Sequence, residues 1–311
     1  MLKAQSDSRT ITKSIFSPYL NKSNYLYQFI NTVKLLRFPF SIFLLPVSLF
    51  AFFYIQPTFS LQLLLVIFIW HFLVFPSSNG YNSYNDRDEG SIGGLASPPK
   101  PTIALLYTVN LMDFSAILLS SLINYYFVIF VIIYIISSRL YSNRHIRLKK
   151  YPIIGFLVVF IFQGSWVFCA DIFALSSATL LSNKAVMYAA IASSFFIGTV
   201  YPLTQIYQHD ADHKDGVNTL SMLLGIKGTF IFSALLFAIA TLFIYLSFSV
   251  PNKINNFWLF NLVMLPSTIY FLSWAFKSFK NIKHINFKNT MVMLILSSFL
   301  NNVFFIILLL K

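Results

Sequence analysis

The sequence has few charged residues and almost no cysteine. Only 10% of its 311 residues are charged, and nine of them are Asp or Glu. A soluble chain of this length would need about a quarter of its residues charged to keep its surface hydrated. The low charge therefore excludes an ordinary soluble domain. The one cysteine, Cys169, lies in an apolar run, which excludes an intrachain disulfide and argues against redox chemistry at cysteine.

Long apolar runs take the place of the missing charge. Hydrophobic residues make up 57% of the chain and include 36 Phe. A helix needs about 20 apolar residues to cross the hydrocarbon layer of a membrane. Nine runs meet this need, near residues 33–55, 61–77, 103–122, 125–139, 151–171, 185–203, 229–249, 256–276 and 288–310. The predicted fold is all-α, a polytopic membrane bundle of about nine transmembrane helices.

The two ends of the chain define its domain organisation. Residues 1–24 are polar and basic and lack an apolar centre, so we predict a disordered cytoplasmic tail and no secretory signal. Residues 25–311 contain all the apolar runs, and we predict that they form a single transmembrane domain.

Basic residues set the predicted topology. The third and fourth runs meet at Asn124 without a clear loop, so they could be read as one helix. With nine spans and a cytoplasmic N-terminus, 19 of the 22 Lys and Arg fall on one side, whereas merging the two runs divides them equally. The positive-inside rule favours nine spans. Membrane orientation then explains the net charge of +13 without a nucleic-acid partner, and a bacterial cytoplasmic membrane suits such a chain.

Acidic residues gather in two segments that this topology places on the cytoplasmic side. Six of the nine acids lie there: Asp86, Asp88, Glu89, Asp210, Asp212 and Asp215. Crowded carboxylates repel one another unless a cation lies among them, and Mg²⁺ prefers a few carboxylates together with substrate phosphate. Two such loops on one face can hold Mg²⁺ against a diphosphate. The alternative is that both loops are solvated turns.

The first acidic loop resembles the first signature of the UbiA-type intramembrane prenyltransferases. Asn82 and Asp86 match its first and central metal-binding positions. Ser83 and Gly90 stand where that signature has Asp, so the resemblance leaves Asp88 or the neighbouring Glu to supply the missing carboxylate.

The second loop resembles the family's second signature, which has two Asp residues followed by Gly and a Thr-Leu pair. The matching residues are Asp212, Gly216, Thr219 and Leu220. Gln208 stands where the first Asp is expected, and Asp210 is the natural substitute. The likeness covers the chain from about residue 25 and also includes nine helices.

The resemblance implies a function and a set of site residues. It implies Mg²⁺-dependent ionisation of an isoprenoid diphosphate and transfer of the prenyl group to an aromatic or quinone-like lipophilic acceptor, with no obligate protein partner evident. The implied metal ligands are Asn82, Asp86, Asp88, Asp210 and Asp212, of which Asp86, Asp210 and Asp212 are also the implied catalytic residues. The implied diphosphate-binding residues are Arg37, Tyr141, Arg144, Arg147 and Lys214.

Three further polar residues lie within the predicted spans. Asp113 lies about ten residues into the third span, where a carboxylate is costly and usually functional. It could line the reaction chamber, act as a base, or form a structural hydrogen bond. We expect Asp171 to be solvated at the outer end of its span, and His71 to be packed.

Two other function classes stay open at the level of sequence. A secondary transporter would place polar residues near the membrane midplane in broken helices, and Asp113 is the main residue that fits. A non-catalytic relative would keep the fold without the chemistry, which the departures at Ser83, Gly90 and Gln208 could indicate. The Asp-Gly-x-x-Ala-Arg string of CDP-alcohol phosphatidyltransferases does not occur.

Overall fold

The computed structural model describes residues 18–311, with side chains from residue 25 onward. Within this part of the chain, nine helices are long and apolar enough to cross a membrane. They are α1 (Tyr25–Ile55), α2 (Leu61–Asp86), α3 (Ile103–Ser120), α4 (Tyr125–Ser142), α5 (Pro152–Leu175), α6 (Lys184–Gln205), α7 (Leu220–Ser249), α8 (Ile254–Lys280) and α9 (Phe287–Leu309). The predicted all-α membrane bundle is confirmed. Residues 1–17 of the predicted tail lie outside the described residues, and the backbone is helical from Pro18.

A short turn separates α3 from α4, as the distribution of basic residues predicts. Asn124 caps α4 because its side-chain oxygen accepts a hydrogen bond of 2.9 Å from the backbone N–H of Phe127. The same side chain donates to the carbonyl of Phe173 in α5 at 2.8 Å. This residue therefore starts the fourth span and ties the turn to a neighbouring helix.

The outer surface of the bundle is apolar, as a lipid-facing surface must be. On α3 the side chains of Tyr107, Leu111, Phe114 and Leu118 recur at helical spacing and are 58% to 69% exposed. Such a stripe would be unfavourable in water and is expected where a helix faces hydrocarbon. Large apolar side chains are also exposed on the other spans.

Helix α6 lies at the centre of the bundle and is the most buried of the nine spans. Small residues on its buried face, among them Ala189, Ser193 and Ser194, allow neighbouring backbones to approach closely. The closest approach is at Gly164 of α5, where an added Cβ would overlap the backbone of Ser194. Helix α5 takes a wider π-helical turn at this point.

Two buried polar residues, Asp171 and His71, form hydrogen bonds inside the bundle. Asp171 is fully buried, and one of its carboxylate oxygens accepts a hydrogen bond of 2.9 Å from the indole N–H of Trp70. The expectation of a solvated Asp171 is therefore wrong, because α2 covers this part of α5. His71 is buried with its Nδ1 3.0 Å from the carbonyl of Ser41, which confirms the expectation of a packed histidine.

The third polar residue, Asp113, forms an ion pair between two spans. Its carboxylate accepts from Nε of Arg139 in α4 at 2.9 Å and from the hydroxyl of Ser77 in α2. The guanidinium carbon of Arg139 lies 3.9 Å from the ring centre of Tyr81. Asp113 therefore has structural partners on two helices, and it does not line either of the two cavities described below.

Candidate active site

The two acidic segments meet at one end of the bundle. This end carries the connections 87–102, 143–151, 206–219 and 281–286, and we call it the loop end. Asp86 and Asp212, which are far apart in sequence, both line one cavity of about 260 Å³ that opens there. Asn82 and Asp88 line the same cavity. Four of the five predicted metal ligands are thus brought together.

Helix α2 positions the first two of these ligands. The sequence predicts a span that ends near residue 77, but the helix continues to Asp86, so Asn82 and Asp86 belong to its last turns and not to a loop. A π-helical segment over Ile69–Val74 precedes Pro76, which has no N–H to donate and is accommodated by such an irregularity. The side chains of residues 75, 78, 79, 82 and 86 then share one face and line the cavity.

The second acidic segment contains a short helix, His209–Lys214, which precedes α7. Gly216 follows with a φ of 69°, a left-handed conformation that favours glycine. The side chain of Thr219 then accepts from the backbone N–H of Met222 and caps α7. Helix α7 therefore begins before residue 229, where the apolar run begins. Gly225, with a φ of 66°, breaks the helix after its first turn.

Gln208 ties the two segments to each other. Its side-chain amide donates to the carbonyl of Ser91 at 3.0 Å, and the residue lines the cavity. Gln208 stands where the resemblance described above predicts Asp. The side chain at this position therefore joins the two acidic segments and adds no carboxylate to the cavity.

Basic residues of the connection between α4 and α5 join the acidic residues. The Lys149 ammonium pairs with the Asp86 carboxylate, which also lies 3.4 Å from the Arg147 guanidinium. Arg147 pairs in addition with Asp215 and donates to its carbonyl at 3.0 Å. Arg144 donates to the carbonyl of Asp86 at 3.1 Å. This connection therefore fastens the end of α2 to the second acidic segment.

Arg37 approaches the cavity from α1. It has a φ of 51° and interrupts α1. Its guanidinium donates to the carbonyl of Asn79 at 3.1 Å and to that of Gly93 at 3.2 Å. Its Nε is buried and has no hydrogen-bond partner among the described residues. A positive group with an unused donor at a cavity wall is suited to an anion.

Two tyrosines and a serine complete the wall between α4 and α6. The hydroxyls of Tyr141 and Tyr201 are hydrogen bonded to each other, and both residues line the cavity. The hydroxyl of Ser142 donates to the side-chain oxygen of Asn82 at 3.0 Å. The tyrosine bond joins α4 to α6, and the bond from Ser142 joins α4 to α2 and fixes the position of Asn82.

The structure leaves some predicted site residues outside the cavity. Asp210 and Lys214 are exposed on the short helix and do not line it. Arg144 and Arg147 also do not line it, although they hold its acidic residues in place. Glu89 is exposed as well, so Asp88 is the carboxylate that follows Asp86 into the site.

Two lining residues were not singled out by sequence reasoning. Lys149 and Asp215 both line the cavity, and their importance comes from contacts between loops that are distant in sequence. The signal for Asp215 was present, since it is one of the three acids of the second segment. Lys149 had no such signal among the neighbouring basic residues.

The carboxylates of the cavity carry an electrostatic cost. Burial and, to a lesser extent, the negative charge of Asp86 raise the pKa of Asp88 to about 6. Burial also raises the pKa of Asp212 to about 7. Both pKa values indicate that additional positive charge would be stabilised here.

The donor atoms fit a hard divalent cation. Asn82, Asp86, Asp88 and Asp212 offer only oxygen ligands, which are those that Mg²⁺ prefers. No group of three His, Cys, Asp or Glu side chains within residues 18–311 is gathered tightly enough to hold an ion by itself.

Comparisons with known proteins identify the family. A search of curated protein sequences finds no match. Among solved structures, a UbiA homologue from Archaeoglobus fulgidus bound to GPP and Mg²⁺ superimposes with a TM-score of 0.67 at 18% identity, covering 90% of this chain and 100% of that one. A UbiA homologue from Aeropyrum pernix K1 superimposes with a TM-score of 0.63 at 14% identity, covering 86% and 97%.

A third structure, described as a digeranylgeranylglyceryl phosphate synthase in membranes, has a TM-score of 0.59 at 20% identity and covers 91% of this chain and 98% of that one. At these identities the three structures show a shared fold. The family model of the UbiA prenyltransferase family matches residues 43–303. Since that match covers most of the sequence, the chain belongs to the UbiA prenyltransferase family.

Proposed function

We propose that this protein is an intramembrane prenyltransferase that uses Mg²⁺ and an isoprenoid diphosphate to prenylate a lipophilic acceptor. The observation that carries the proposal is the convergence of Asp86 and Asp212, from two separate segments, on one cavity at the loop end. Family membership supports the reaction class. The Archaeoglobus fulgidus relative, which binds GPP and Mg²⁺, supports the type of donor and the metal.

In this proposal, the polar wall of the cavity holds the diphosphate. Asn82, Asp86, Asp88 and Asp212 would hold Mg²⁺, which supplies positive charge that stabilises the leaving diphosphate. Arg37 and Lys149 would contact phosphate oxygens directly, since both line the cavity. Guanidinium and ammonium groups form strong charge-assisted hydrogen bonds with phosphate.

The reaction transfers an allylic group. The bond between the first isoprenoid carbon and the diphosphate oxygen breaks, and its electron pair leaves with the diphosphate. The acceptor supplies the electron pair of the new bond to that carbon and loses a proton, which the released pyrophosphate can take up. Prenylated acceptor and pyrophosphate are the products.

Aromatic side chains surround the place where positive charge would develop. Those that line the cavity are Phe40, Phe43, Phe75, Tyr134, Tyr141, Phe162 and Tyr201. A desolvated cation over an aromatic face is stabilised by up to about 2 kcal/mol. The bundle also shields an allylic cation from water, which would otherwise capture it. These residues therefore favour ionisation and limit hydrolysis of the donor.

The rival functions have less support. A transporter would need polar residues along a path at mid-membrane, but Asp113 is paired with Arg139 and Asp171 is bonded to Trp70. For a non-catalytic relative, the relevant changes are at Ser83, Gly90 and Gln208. Ser83 and Gly90 lie outside the cavity wall, and Asp88 provides a carboxylate at that wall.

We further propose that the loop end faces the cytoplasm of a bacterial cell, since basic residues are concentrated in its connections. The Asp210→Cys variant, in a Cys169→Ala background, would then react with a membrane-impermeant thiol reagent in inverted vesicles and not in intact cells. The opposite labelling pattern would reverse this orientation.

Pyrophosphate release tests the main proposal. The purified protein in lipid nanodiscs is given Mg²⁺, geranyl, farnesyl or geranylgeranyl diphosphate, and a panel of phenol, quinol and alcohol acceptors. Asp212→Asn should lower the rate at least about 100-fold, as expected when charge stabilisation at a reaction centre is lost. Asp212 is the cleaner test because it has no ion pair among the described residues, whereas Asp86 holds Lys149 and Arg147.

Asp210→Asn is the matched control, since Asp210 lies on the same short helix and is exposed. It should keep a rate within about twofold of the parent protein. Rates like the parent protein's in both Asp86→Asn and Asp212→Asn would refute the metal assignment. No pyrophosphate from any donor and acceptor pair, in protein that binds geranyl diphosphate, would indicate a non-catalytic relative.

A further inference from the structure

A second cavity lies deeper in the bundle. It has a volume of about 190 Å³ and is enclosed by α1, α6, α7, α8 and α9. Four of its lining residues, Phe43, Ile197, Val200 and Leu294, also line the cavity at the loop end. The two spaces are therefore adjacent and share a wall. We call the deeper space the inner chamber.

The inner chamber combines an apolar wall with hydrogen-bonding groups. None of the described residues that line it is charged, but eight of them carry a hydroxyl or an amide. Most of these hydroxyls donate to carbonyls of their own helix, as Ser193 does to Ala189 at 2.9 Å. The hydroxyl of Ser233 and the side-chain oxygen of Asn301 are different, because both are buried without a hydrogen-bond partner in the part of the chain that the structure describes.

These two unpaired atoms need an explanation. A buried polar atom without a partner costs about 1 to 3 kcal/mol, and Ser233 is fully buried. An isoprenoid chain has no group that could pair with either atom. A carboxylate in the inner chamber would be buried without a counter-charge, which is much more costly. The lining therefore matches a neutral molecule that can donate a hydrogen bond.

One wall of the inner chamber also reaches the outer surface of the bundle. Leu272 lines the inner chamber and is 60% exposed on the outer surface of α8. The inner chamber therefore lies against the lipid-facing surface at α8, and a molecule that enters from the bilayer would enter here and not through the loop end.

We propose that the inner chamber binds the acceptor, and that this acceptor is an uncharged lipophilic phenol or alcohol whose hydroxyl bonds to Asn301 and Ser233. The proposal rests on the proposed function, because it assigns the second substrate of the same reaction. The shared wall at Phe43 and Ile197 would bring the acceptor next to the prenyl donor. Ser233 and Asn301 then determine which acceptors are accepted.

Binding of matched probes tests this assignment without turnover. Radiolabelled 1-naphthol, naphthalene and 1-naphthoate are equilibrated by dialysis with the protein in phosphatidylcholine nanodiscs, and uptake by empty nanodiscs is subtracted. Saturable binding of 1-naphthol is expected, with about tenfold weaker binding of naphthalene, as one buried hydrogen bond predicts. Binding of 1-naphthoate should be weaker still.

A double variant locates the hydrogen bond. Ser233→Ala combined with Asn301→Leu removes both polar groups at the cost of one heavy atom in total and should remove the tenfold preference while leaving naphthalene affinity unchanged. Thr241→Val is the matched control, because Thr241 lies on α7 with its hydroxyl bonded to Phe237 and does not line the inner chamber. It should keep the preference for 1-naphthol.

Three outcomes would overturn the proposal. They are equal binding of 1-naphthol and naphthalene, an unchanged preference in the double variant, and displacement of 1-naphthol by excess geranyl diphosphate with Mg²⁺. The last outcome would mean that the inner chamber holds the prenyl chain. Asp212→Asn should still bind 1-naphthol, so a failure of the proposed reaction and a failure of this site are distinguishable.

Discussion

The ion pair between Asp113 and Arg139 offers a test of whether an acidic residue within a membrane span is structural or catalytic. Their side chains are only 13% and 19% exposed, and they join α3 to α4. The hydroxyl of Ser77 in α2 also bonds to Asp113. Asp113→Leu would leave the Arg139 guanidinium in an apolar setting without its carboxylate, and Arg139→Met would leave the carboxylate without its cation.

The expected cost follows from this burial. Removing one partner of a buried ion pair costs about 3 to 5 kcal/mol, because the other charge is left uncompensated. We take about 3 kcal/mol, since both side chains keep some exposure. Replacing both partners with apolar residues is often close to neutral, so the double variant should lie within about 1 kcal/mol of the parent protein. Ser77 would keep its hydrogen bond to the carbonyl of Val109 at 3.0 Å.

The assay is thermal unfolding of the protein in nanodiscs together with pyrophosphate release. Each single variant should lower the melting temperature by roughly 6 °C, and the double variant should restore most of this loss. The double variant should also keep the kcat of the parent protein if Asp113 only joins helices. Normal unfolding with a kcat lowered more than about 100-fold would refute the structural role and restore Asp113 as a base or acceptor contact.

Three further predictions concern the cavity and the buried carboxylate of Asp171. Lys149→Met should raise the KM for the isoprenoid diphosphate about tenfold, as the loss of one charged contact predicts. The control Lys150→Met removes an ammonium that lies over the Tyr151 ring and should leave the KM unchanged. Equal KM values in the two variants would refute the assignment of Lys149 to the diphosphate. Calorimetry should show weaker Mg²⁺ binding as the pH falls from 8 to 6. The reason is that the raised pKa values of about 7 for Asp212 and about 6 for Asp88 allow protons to compete with the metal in this range. A Mg²⁺ affinity that does not change with pH would contradict the role of both residues as ligands. Asp171→Asn should have a free energy of unfolding within about 1 kcal/mol of the parent protein, whereas Asp171→Leu should lower it by about 1 to 3 kcal/mol. The reason is that only Asn retains an acceptor for the Trp70 indole N–H. Equal losses in the two variants would show that this hydrogen bond does not stabilise the fold.

The sequence predicts the helices well because membrane insertion depends on a local property. Each span needs a long apolar run, and each of the nine runs became a helix. The main exceptions are the start of α7, which begins before its apolar run, and the second half of α2, where Ser78, Asn79 and Asn82 lower the hydropathy and end the predicted span too early. These polar residues face a cavity and not lipid, so hydropathy could not find them. Helical spacing from Phe75 to Asp86 could have shown that they share one face.

The site is predicted less completely because its geometry depends on contacts between distant segments. Counting acids identifies both loops, but it cannot show that Asp210 turns outward while Asp212 and Asp215 turn inward. Asp210 and Asp212 differ because the short helix His209–Lys214 presents opposite faces to solvent and to the cavity, and Asp215 follows directly after this helix. The exposure of Asp171 was misjudged for a similar reason, since its burial is caused by Trp70 on another helix.

The ion pairs at the loop end explain how a crowded acidic site can exist in a stable fold. Asp86 is held by Lys149 and Arg147, and Asp215 is held by Arg147, so two of the four carboxylates that line the cavity are paired within the protein. A diphosphate carries several negative oxygens that compete for the same cations. Once Lys149 turns to phosphate, the Asp86 carboxylate becomes available to a metal ion. We therefore expect diphosphate and Mg²⁺ to favour each other's binding, because linkage between two sites is reciprocal. Such coupling would complete the site only when the donor is bound, which protects the allylic diphosphate from ionisation in an incomplete site.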